Sequence, residues 1–392
     1  MESTGVEAAL GLVYVCSRCG AEHTAANPIW RCPQCGGVLK GWPPVAFSEH
    51  DVDQHESGLW RYARALPPLP EAGRLRLGEV MTPLVRNEPL AAMLKVDYLQ
   101  PSGSYKDRGS AVLVSRLRHL GVREILEDSS GNAGSSMAAY SAAAGIDCEV
   151  FVPATNSPDK LAQIKAYGAT LRPIDGDRAA VARAALEAAQ TRFYASHNWH
   201  PDFHAGVSSL GFEIWEQCGR RAPEAVIVPC GHGSLVLGLD RAFKSLAMSG
   251  AIGRVPRIFA VQAEAYSSLA RAWTEHAAEP ALVEEPGGTI AEGIATTLPL
   301  RGPEVLAALR DSGGAAFSVS EPDIRRALVR LLHLGFYSEP TAAVGIAGLA
   351  LLRSRNEIPN EASQVVVVLT GTGLKAGRRI AEAVETALEV DR

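Results

Sequence analysis

The chain has 392 residues and a formal net charge of −5, and 47% of its residues are apolar while 21% are charged. This length and composition predict a globular protein of two or more domains. The negative charge argues against a nucleic acid or an anionic membrane as partner. The sequence opens without a secretory signal, and its longest apolar run, around residues 342–352, is too short to span a bilayer. We therefore expect a cytoplasmic protein in which disulfides do not form.

Two CxxC pairs near the start of the chain predict a metal site. Twelve residues separate the pairs, and a glycine follows each of them. This spacing is typical of a tetrahedral zinc site with four thiolates, which would stabilise a small lobe at residues 1–45. Two redox-active pairs are the alternative, but the βαβ context of such motifs is missing, and too few cations surround the pairs for a nucleic-acid-binding ribbon. The predicted zinc ligands are Cys16, Cys19, Cys32 and Cys35.

Helical and strand patterns alternate from residue 82 onward, after a connecting arm at residues 41–80 that is rich in Pro, Gly, Trp and Arg. The strand patterns are short apolar runs, typical of strands buried on both faces. This alternation predicts parallel sheets covered by helices. The predicted helices are residues 109–120, 134–144, 159–167, 178–190, 208–218, 235–249, 321–334, 342–353 and 375–388. The predicted strands are residues 149–152, 225–229, 258–262 and 365–369.

A single lysine, Lys106, follows a turn-forming run in the segment QPSGSYKDRG at residues 100–109. A turn that leads into a helix N-terminus sets a side chain beside backbone N–H groups and the positive end of the helix dipole. A lysine in such a place can serve as a nucleophile for a carbonyl. The alternative is a solvated lysine in a turn, and three further motifs argue against it.

These three motifs lie at junctions between strands and helices, where ligands bind in open α/β sheets. The segment SSGNAGS at residues 129–135 can bind a carboxylate, although it can equally be a capped helix start. The segment CGHGSL at 230–235 can close around a phosphate, with His232 as a base or as loop lining. The segment TGTGLK at 370–375 either places the hydroxyl of Thr370 at a strand end facing a ligand or is a plain Gly-rich turn.

Together, the motifs describe a site for pyridoxal phosphate held as a Schiff base. PSGSYKDRG, SSGNAGSSMAAY and LTGTGLK resemble motifs of the fold-type II pyridoxal-phosphate enzymes, the tryptophan synthase β-like superfamily. Nearly the whole chain is most similar to the threonine synthase family, including the zinc-ribbon-like segment, WRYARALP at 60–67 and SEPTAA at 338–343. The resemblance implies two open, mostly parallel α/β domains with the cofactor in the cleft, plus the small N-terminal zinc ribbon.

The resemblance also implies roles for individual residues. Lys106 would form the Schiff base and later move the α-proton, and Thr370 would face the pyridine nitrogen. Because a hydroxyl is neutral, we expect a weaker electron sink than a carboxylate would give. The cofactor-binding residues would be Lys106, Asn132 at the phenolic oxygen, Gly231, His232, Gly233, Ser234 and Leu235 at the phosphate, and Thr370. The substrate-binding residues would be Ser104, Ser129, Ser130, Asn132, His197 and Ser208.

The same resemblance implies a homodimer and a division into domains. Residues 1–45 would form the zinc-ribbon-like segment. A small mobile α/β domain would comprise residues 101–204. The large domain that binds pyridoxal phosphate, with its N-terminal arm, would comprise residues 46–100 and 205–392.

The match to the family breaks between residues 197 and 209. Threonine synthases usually supply a lysine and an acid there, but this chain has Ser208 and Ala205, and residues 197–217 contain no Lys or Arg. A phosphate bound without a cation would lose charge-assisted hydrogen bonds. Histidines at positions 197, 200 and 204 suggest a metal site on a helix, but Pro201 breaks a helix, which favours polar pocket lining.

The resemblance implies a pyridoxal-phosphate-dependent lyase that acts on a small amino acid. The best assignment is conversion of O-phospho-L-homoserine to L-threonine and phosphate by elimination and addition of water. Because the usual cation is missing, β-elimination or β-replacement on another amino acid stays open, as in serine/threonine dehydratases, diaminopropionate ammonia-lyase or cysteate synthase. A non-catalytic binding or regulatory protein on the same fold is the alternative from another class, and the retention of Lys106, Asn132 and Thr370 argues against it.

Overall fold

The computed structural model of the chain describes residues 12–41, 43–361 and 364–390. The strands of this part of the chain are β1 (Val13–Cys16), β2 (Glu22–Thr24), β3 (Leu39–Lys40), β4 (Leu84–Asn87), β5 (Ala92–Val96), β6 (Glu124–Glu127), β7 (Asp147–Pro153), β8 (Thr170–Ile174), β9 (Phe193–Tyr194), β10 (Ala225–Pro229), β11 (Arg257–Ala263), β12 (Ala315–Val319) and β13 (Val365–Leu369).

Its α-helices are α1 (Lys106–His119), α2 (Asn132–Ala144), α3 (Pro158–Ala166), α4 (Arg178–Ala188), α5 (Pro201–Val207), α6 (Ser209–Gln217), α7 (Ser234–Met248), α8 (Ser268–Thr274), α9 (Gly302–Ser312), α10 (Glu321–His333), α11 (Pro340–Ser354) and α12 (Gly377–Val390). No helix among the described residues is both long and apolar enough to cross a membrane.

The chain divides into two compact units. The first unit comprises the described parts of Met1–Val45, together with His50–Val80 and Lys106–Ser209. It contains a small antiparallel sheet in the order β2-β1-β3 and a parallel sheet in the order β8-β7-β6-β9. The arm at residues 50–80, which the sequence analysis assigned to the large domain, lies in this first unit.

The second unit comprises Ala46–Glu49, Met81–Tyr105 and the described parts of Leu210–Arg392. Its sheet has the order β12-β11-β10-β13-β5-β4 and is parallel except for the antiparallel pair β4–β5. Strands β10 and β13, with the sequences AVIVP and VVVVL, are buried along their whole length. Helix α11 packs closely on this sheet because Gly345 and Gly348 leave room for Val367 and Val261.

These sheets confirm the predicted class of fold, a mixed α/β protein with mostly parallel strands. Every predicted helix and strand overlaps an observed element of the same type. Residues 197–200 are not helical and α5 begins at Pro201, so the three histidines do not share one helix, as the sequence analysis expected. Pro201 is the first residue of α5, where a proline is favoured because its missing N–H has no intrahelical partner to lose.

Candidate active site

Lys106 is the first residue of α1, in the first unit. Its Nζ lies 5.6 Å from the centre of the Phe203 ring, a cation–π distance. Gly109 makes this approach possible, because a Cβ at that position would lie 2.6 Å from atoms of the same ring. The start of α1 is also held to α2, since the hydroxyl of Ser136 donates to Asp107 over 2.6 Å. The lysine therefore stands at a helix N-terminus whose position is fixed by packing.

The Ser129–Asn132 loop follows the end of β6 and leads directly into α2. The N–H of Gly131 donates to the hydroxyl of Ser129 over 3.3 Å, which closes the turn. Gly134 is required in the first turn of the helix, because a Cβ there would overlap the carbonyl oxygen of Ser129. The side chains of Ser129, Ser130 and Asn132 are only half-buried, so they lie at a surface where a ligand can reach them.

A buried carboxylate, Glu127, stands at the end of β6 beside this loop. Its Oε1 lies 2.9 Å from Nδ1 of His197, and both residues are almost completely buried. Burial, followed by the charge of Asp128, raises the pKa of Glu127 well above its usual value. The His197 ring contacts Phe203 edge-on, with 5.8 Å between the ring centres. Within the first unit, Lys106 and His197 thus contact the same aromatic ring.

Other polar residues of the 197–209 segment serve the fold. Nδ1 of His200 accepts the N–H of Asp202 and so caps α5. The carboxylate of Asp202 accepts hydrogen bonds from Tyr14 over 2.8 Å and from Arg116 over 3.1 Å. The hydroxyl of Ser208, predicted to bind substrate, donates to the backbone carbonyl of Ala205 over 2.6 Å. Among the residues described, the histidines of this segment form no cluster of three or more metal-ligating groups.

The Gly231–Leu235 loop of the second unit runs from the end of β10 into α7. Gly233 has a φ of +90°, which glycine tolerates, and a Cβ there would also overlap Val305. The loop thus brings a close-packed backbone to a helix N-terminus, which is a common arrangement for binding phosphate. The hydroxyl of Ser234 lies 2.9 Å from that of Tyr105.

Tyr105 also connects this loop to the end of β13, because its N–H donates to the carbonyl of Thr370 over 3.0 Å. The hydroxyl of Thr370 donates to Oε1 of Glu339 over 2.9 Å. Ser104 pairs with Gly371 in an isolated antiparallel bridge. Its buried hydroxyl has no hydrogen-bond partner in the described part of the chain. A buried polar group of this kind normally forms a hydrogen bond with a water or a ligand.

These observations fit the group that the sequence predicts. Lys106 offers an amine, the Gly231–Leu235 loop offers N–H groups at a helix start, and Ser104 offers a buried hydroxyl that lacks a partner among the described residues. Pyridoxal phosphate, when bound, supplies an electron sink for reactions at the α-carbon of amino acids.

Sequence reasoning missed Glu127 and gave no role to Glu339. The available signal for Glu339 was its position directly before Pro340, the first residue of α11.

The four cysteines of the first unit converge. Their sulfur atoms lie within 4.8 Å of one another, with 3.4 Å between Cys16 and Cys35 and 3.8 Å between Cys19 and Cys32. Four thiolates this close suit a tetrahedral Zn²⁺ ion. Gly37 lies against the sulfurs, and a Cβ at that position would be 2.9 Å from Sγ of Cys16. The cluster can bind a metal, and zinc as the bound ion stays a prediction.

Comparison with known proteins agrees with this geometry. The family described as "Pyridoxal-phosphate dependent enzyme" matches residues 75–371. Threonine deaminase isoform 2 from Solanum lycopersicum is 20% identical, with a TM-score of 0.70 over 92% of this chain and 97% of that chain. The threonine deaminase of T.th. is 27% identical, with a TM-score of 0.62 over 74% of this chain and 92% of that chain. The family match and the fold therefore define a pyridoxal-phosphate-dependent enzyme of fold-type II.

The threonine synthase of Methanocaldococcus jannaschii is 31% identical over 391 residues, which cover 96% of this chain and 96% of that protein. The chain belongs to the threonine synthase family of pyridoxal-phosphate-dependent enzymes. It is accordingly a lyase. The roles of individual residues toward cofactor and substrate stay predictions.

Proposed function

We propose that the enzyme converts O-phospho-L-homoserine to L-threonine and phosphate, by elimination followed by addition of water. Similarity to a threonine synthase along 96% of the chain supports this reaction. The observation that carries the proposal is the Glu127–His197 pair, because His197 begins the segment 197–217, which contains no Lys or Arg. His197 contacts Phe203, and Phe203 also contacts Lys106.

The pair offers a substitute for the lysine that Ser208 replaces. Nδ1 of His197 faces Glu127, so Nε2 is on the opposite side of the imidazole ring. Because the raised pKa of Glu127 favours its protonated form, its carboxyl group can donate to Nδ1 of His197. The imidazole then carries its N–H on Nε2, which can donate a charge-assisted hydrogen bond to a phosphate oxygen. Arg108 is engaged elsewhere, because its guanidinium donates to the hydroxyl of Ser209 over 3.2 Å.

In this proposal, the residues keep the roles that the sequence analysis assigned. Lys106 binds the cofactor and moves the α-proton, while Asn132 and Thr370 contact the cofactor ring. The Gly231–Leu235 loop binds the cofactor phosphate. Ser104, Ser129, Ser130 and His197 bind the substrate. The small amino-acid substrate, the homodimer, the predicted domain boundaries, the bound zinc and the cytoplasmic location belong to the same proposal.

A second candidate is β-elimination or β-replacement on serine, threonine, phosphoserine or diaminopropionate. Two observations favour it. Residues 197–217 contain no Lys or Arg, and the hydroxyl of Ser208 is bonded to the carbonyl of Ala205. The similarity to the threonine deaminase of T.th., at 27% identity, is consistent with such a reaction.

The test is a comparison of substrates with the purified holoenzyme. We expect release of phosphate and formation of threonine from O-phosphohomoserine, and a change in the visible absorption of the bound cofactor. The variant His197→Gln should lower kcat/KM for this substrate by roughly ten- to a hundred-fold, because one charge-assisted hydrogen bond is lost. His333→Gln, at an exposed position, is the matched control.

The outcomes separate the candidates. Turnover of threonine, serine or diaminopropionate to ammonia and an oxo acid, without activity on O-phosphohomoserine, would establish the second candidate. Absence of a cofactor absorption band, or a band that Lys106→Ala leaves unchanged, would support a non-catalytic protein. Threonine synthesis that His197→Gln leaves unchanged would remove the histidine from the proposal while keeping the reaction.

A further inference from the structure

The hydroxyl of Thr370 is engaged with a carboxylate. Thr370 Oγ1 donates to Glu339 Oε1 over 2.9 Å, and both residues are buried, with 2% and 9% of their surfaces exposed. A hydroxyl has one proton and two lone pairs. Because Glu339 takes the proton, the oxygen of Thr370 presents only lone pairs to any other neighbour. It can then accept a hydrogen bond but cannot donate one.

The carboxylate of Glu339 is held in this orientation by its surroundings. Glu339 is the N-cap residue of α11, yet its side chain does not cap that helix. Its N–H donates to the carbonyl of Gly371 over 2.9 Å, and the hydroxyl of Ser338 donates to the same oxygen over 2.9 Å. A Cβ at position 371 would overlap the Glu339 carboxyl group in this orientation, so the absence of a side chain at Gly371 leaves room for it.

We propose that Glu339, acting through Thr370, keeps the pyridine nitrogen of bound pyridoxal phosphate protonated. This inference rests on the position of Thr370 at the ring nitrogen, which is part of the proposed function. The nitrogen takes its proton from solvent, and the hydroxyl proton stays between Thr370 and Glu339. The protonated nitrogen donates to the lone pair that Thr370 presents. A negative charge one hydrogen bond further away stabilises the positive ring, and burial strengthens this attraction.

The proposal changes the electronic character expected of the site. From the sequence, a neutral hydroxyl at this position predicts a weak electron sink. With Glu339 present, Thr370 is the middle member of a hydrogen-bonded chain that runs from the ring nitrogen to the carboxylate. Glu339 is a positioning residue in this chain. A protonated ring withdraws electrons more strongly. This matters for the proposed reaction, because a leaving group on Cγ requires that protons leave both Cα and Cβ.

The test uses the resting holoenzyme and needs no substrate. The apoprotein is reconstituted with pyridoxal phosphate labelled with ¹⁵N in the ring, and the ¹⁵N chemical shift is measured at neutral pH. We expect the shift of a protonated ring in the unchanged protein. In Glu339→Gln the fraction of protonated ring should fall at least about ten-fold. The control is Glu357→Gln, at an exposed position of the same unit.

A second variant covers the case in which Glu339→Gln fails to fold. Thr370→Val keeps the carboxylate but removes the hydroxyl, so it too should shift the ring toward the unprotonated form. An unprotonated ring in the unchanged protein would overturn the proposal, as would a protonated ring in both variants. Because the readout is independent of substrate, either result leaves the choice between threonine synthesis and β-elimination to the substrate comparison.

Discussion

The hydroxyl of Tyr105 lies 2.9 Å from the hydroxyl of Ser234, the first residue of the helix that follows the Gly-rich loop. Through its backbone, Tyr105 also donates to the carbonyl of Thr370. The residue directly before Lys106 is therefore bonded to both loops of the second unit that sequence analysis assigned to the cofactor. This one tyrosine therefore contacts the sequence segments around 234 and 370.

The first prediction concerns this tyrosine. In Tyr105→Phe the ring is kept and one hydrogen bond to Ser234 is lost, so the affinity of the apoprotein for pyridoxal phosphate should fall roughly five- to ten-fold. Fluorescence titration of the apoprotein with the cofactor measures this directly. Tyr98→Phe, a half-buried position in the same unit, should have no such effect. Equal affinity in the Tyr105 variant and the unchanged protein would show that the hydroxyl does not support the loop.

A second prediction concerns the four-cysteine cluster. The purified protein should contain about one zinc ion per chain, and Cys32→Ser should lose it, because structural zinc sites need all four ligands. Trp30 contacts the rings of Tyr194 and Trp199, each with 5.2 Å between the ring centres. Loss of the metal should therefore lower Tm and change the tryptophan fluorescence. Cys218→Ser, outside the cluster, is the control, and a metal content that the two variants share would contradict the site.

The third prediction concerns the buried group of Asp202, Arg116 and Tyr14. Asp202→Asn leaves the Arg116 guanidinium without its counter-charge, and breaking such a buried pair typically costs about 3–5 kcal/mol of unfolding free energy. Burial, followed by the charge of Asp202, raises the pKa of Tyr14 well above its usual value, so the phenol stays a hydrogen-bond donor. Chemical denaturation measures the loss. Glu382→Gln breaks an exposed pair with Arg378 and should change stability by less than about 1 kcal/mol.

The fourth prediction is a dependence of stability on pH that originates at Glu127. Its pKa is raised by burial first and by Asp128 second, so above about pH 4.5 the folded state holds a proton that the unfolded state has released. The free energy of unfolding should therefore fall as the pH rises from that value through the folded pKa. Glu127→Gln should reduce this slope in denaturation experiments. Glu124→Gln, on the exposed part of the same strand, should retain it.

Much of the fold could be predicted because its central strands are unusually uniform. Strands β10 and β13 are continuous apolar runs, and their burial on both faces is what such runs predict. Strand β5 escaped prediction because it contains Lys95, which is completely buried and paired with Glu213. That pairing joins residues far apart in the chain, so no local pattern reveals it.

The positions of the loops at the candidate site could be predicted from the sequence, but the hydrogen-bond partners of the side chains could not. Loops that contain Gly and Ser at strand-to-helix junctions indicate ligand binding by position alone, as for Lys106 and the Gly231–Leu235 loop. The partners of these residues come from elsewhere in the chain. Glu339 contacts Thr370 across 31 residues of sequence, and Glu127 contacts His197 across 70, so no local pattern reveals either pair. Pro201 was informative, because a helix that begins at this proline cannot also carry His197.

The buried group around Asp202 joins parts of the sequence that are 188 and 86 residues apart. A substitution of any one member removes a buried hydrogen bond from Asp202 or leaves a partner without its counter-charge. Positions 14, 116 and 202 should therefore change together over evolutionary time. A relative without the N-terminal lobe has no tyrosine to offer, so its aspartate should lose one hydrogen bond while the arginine still supplies the counter-charge.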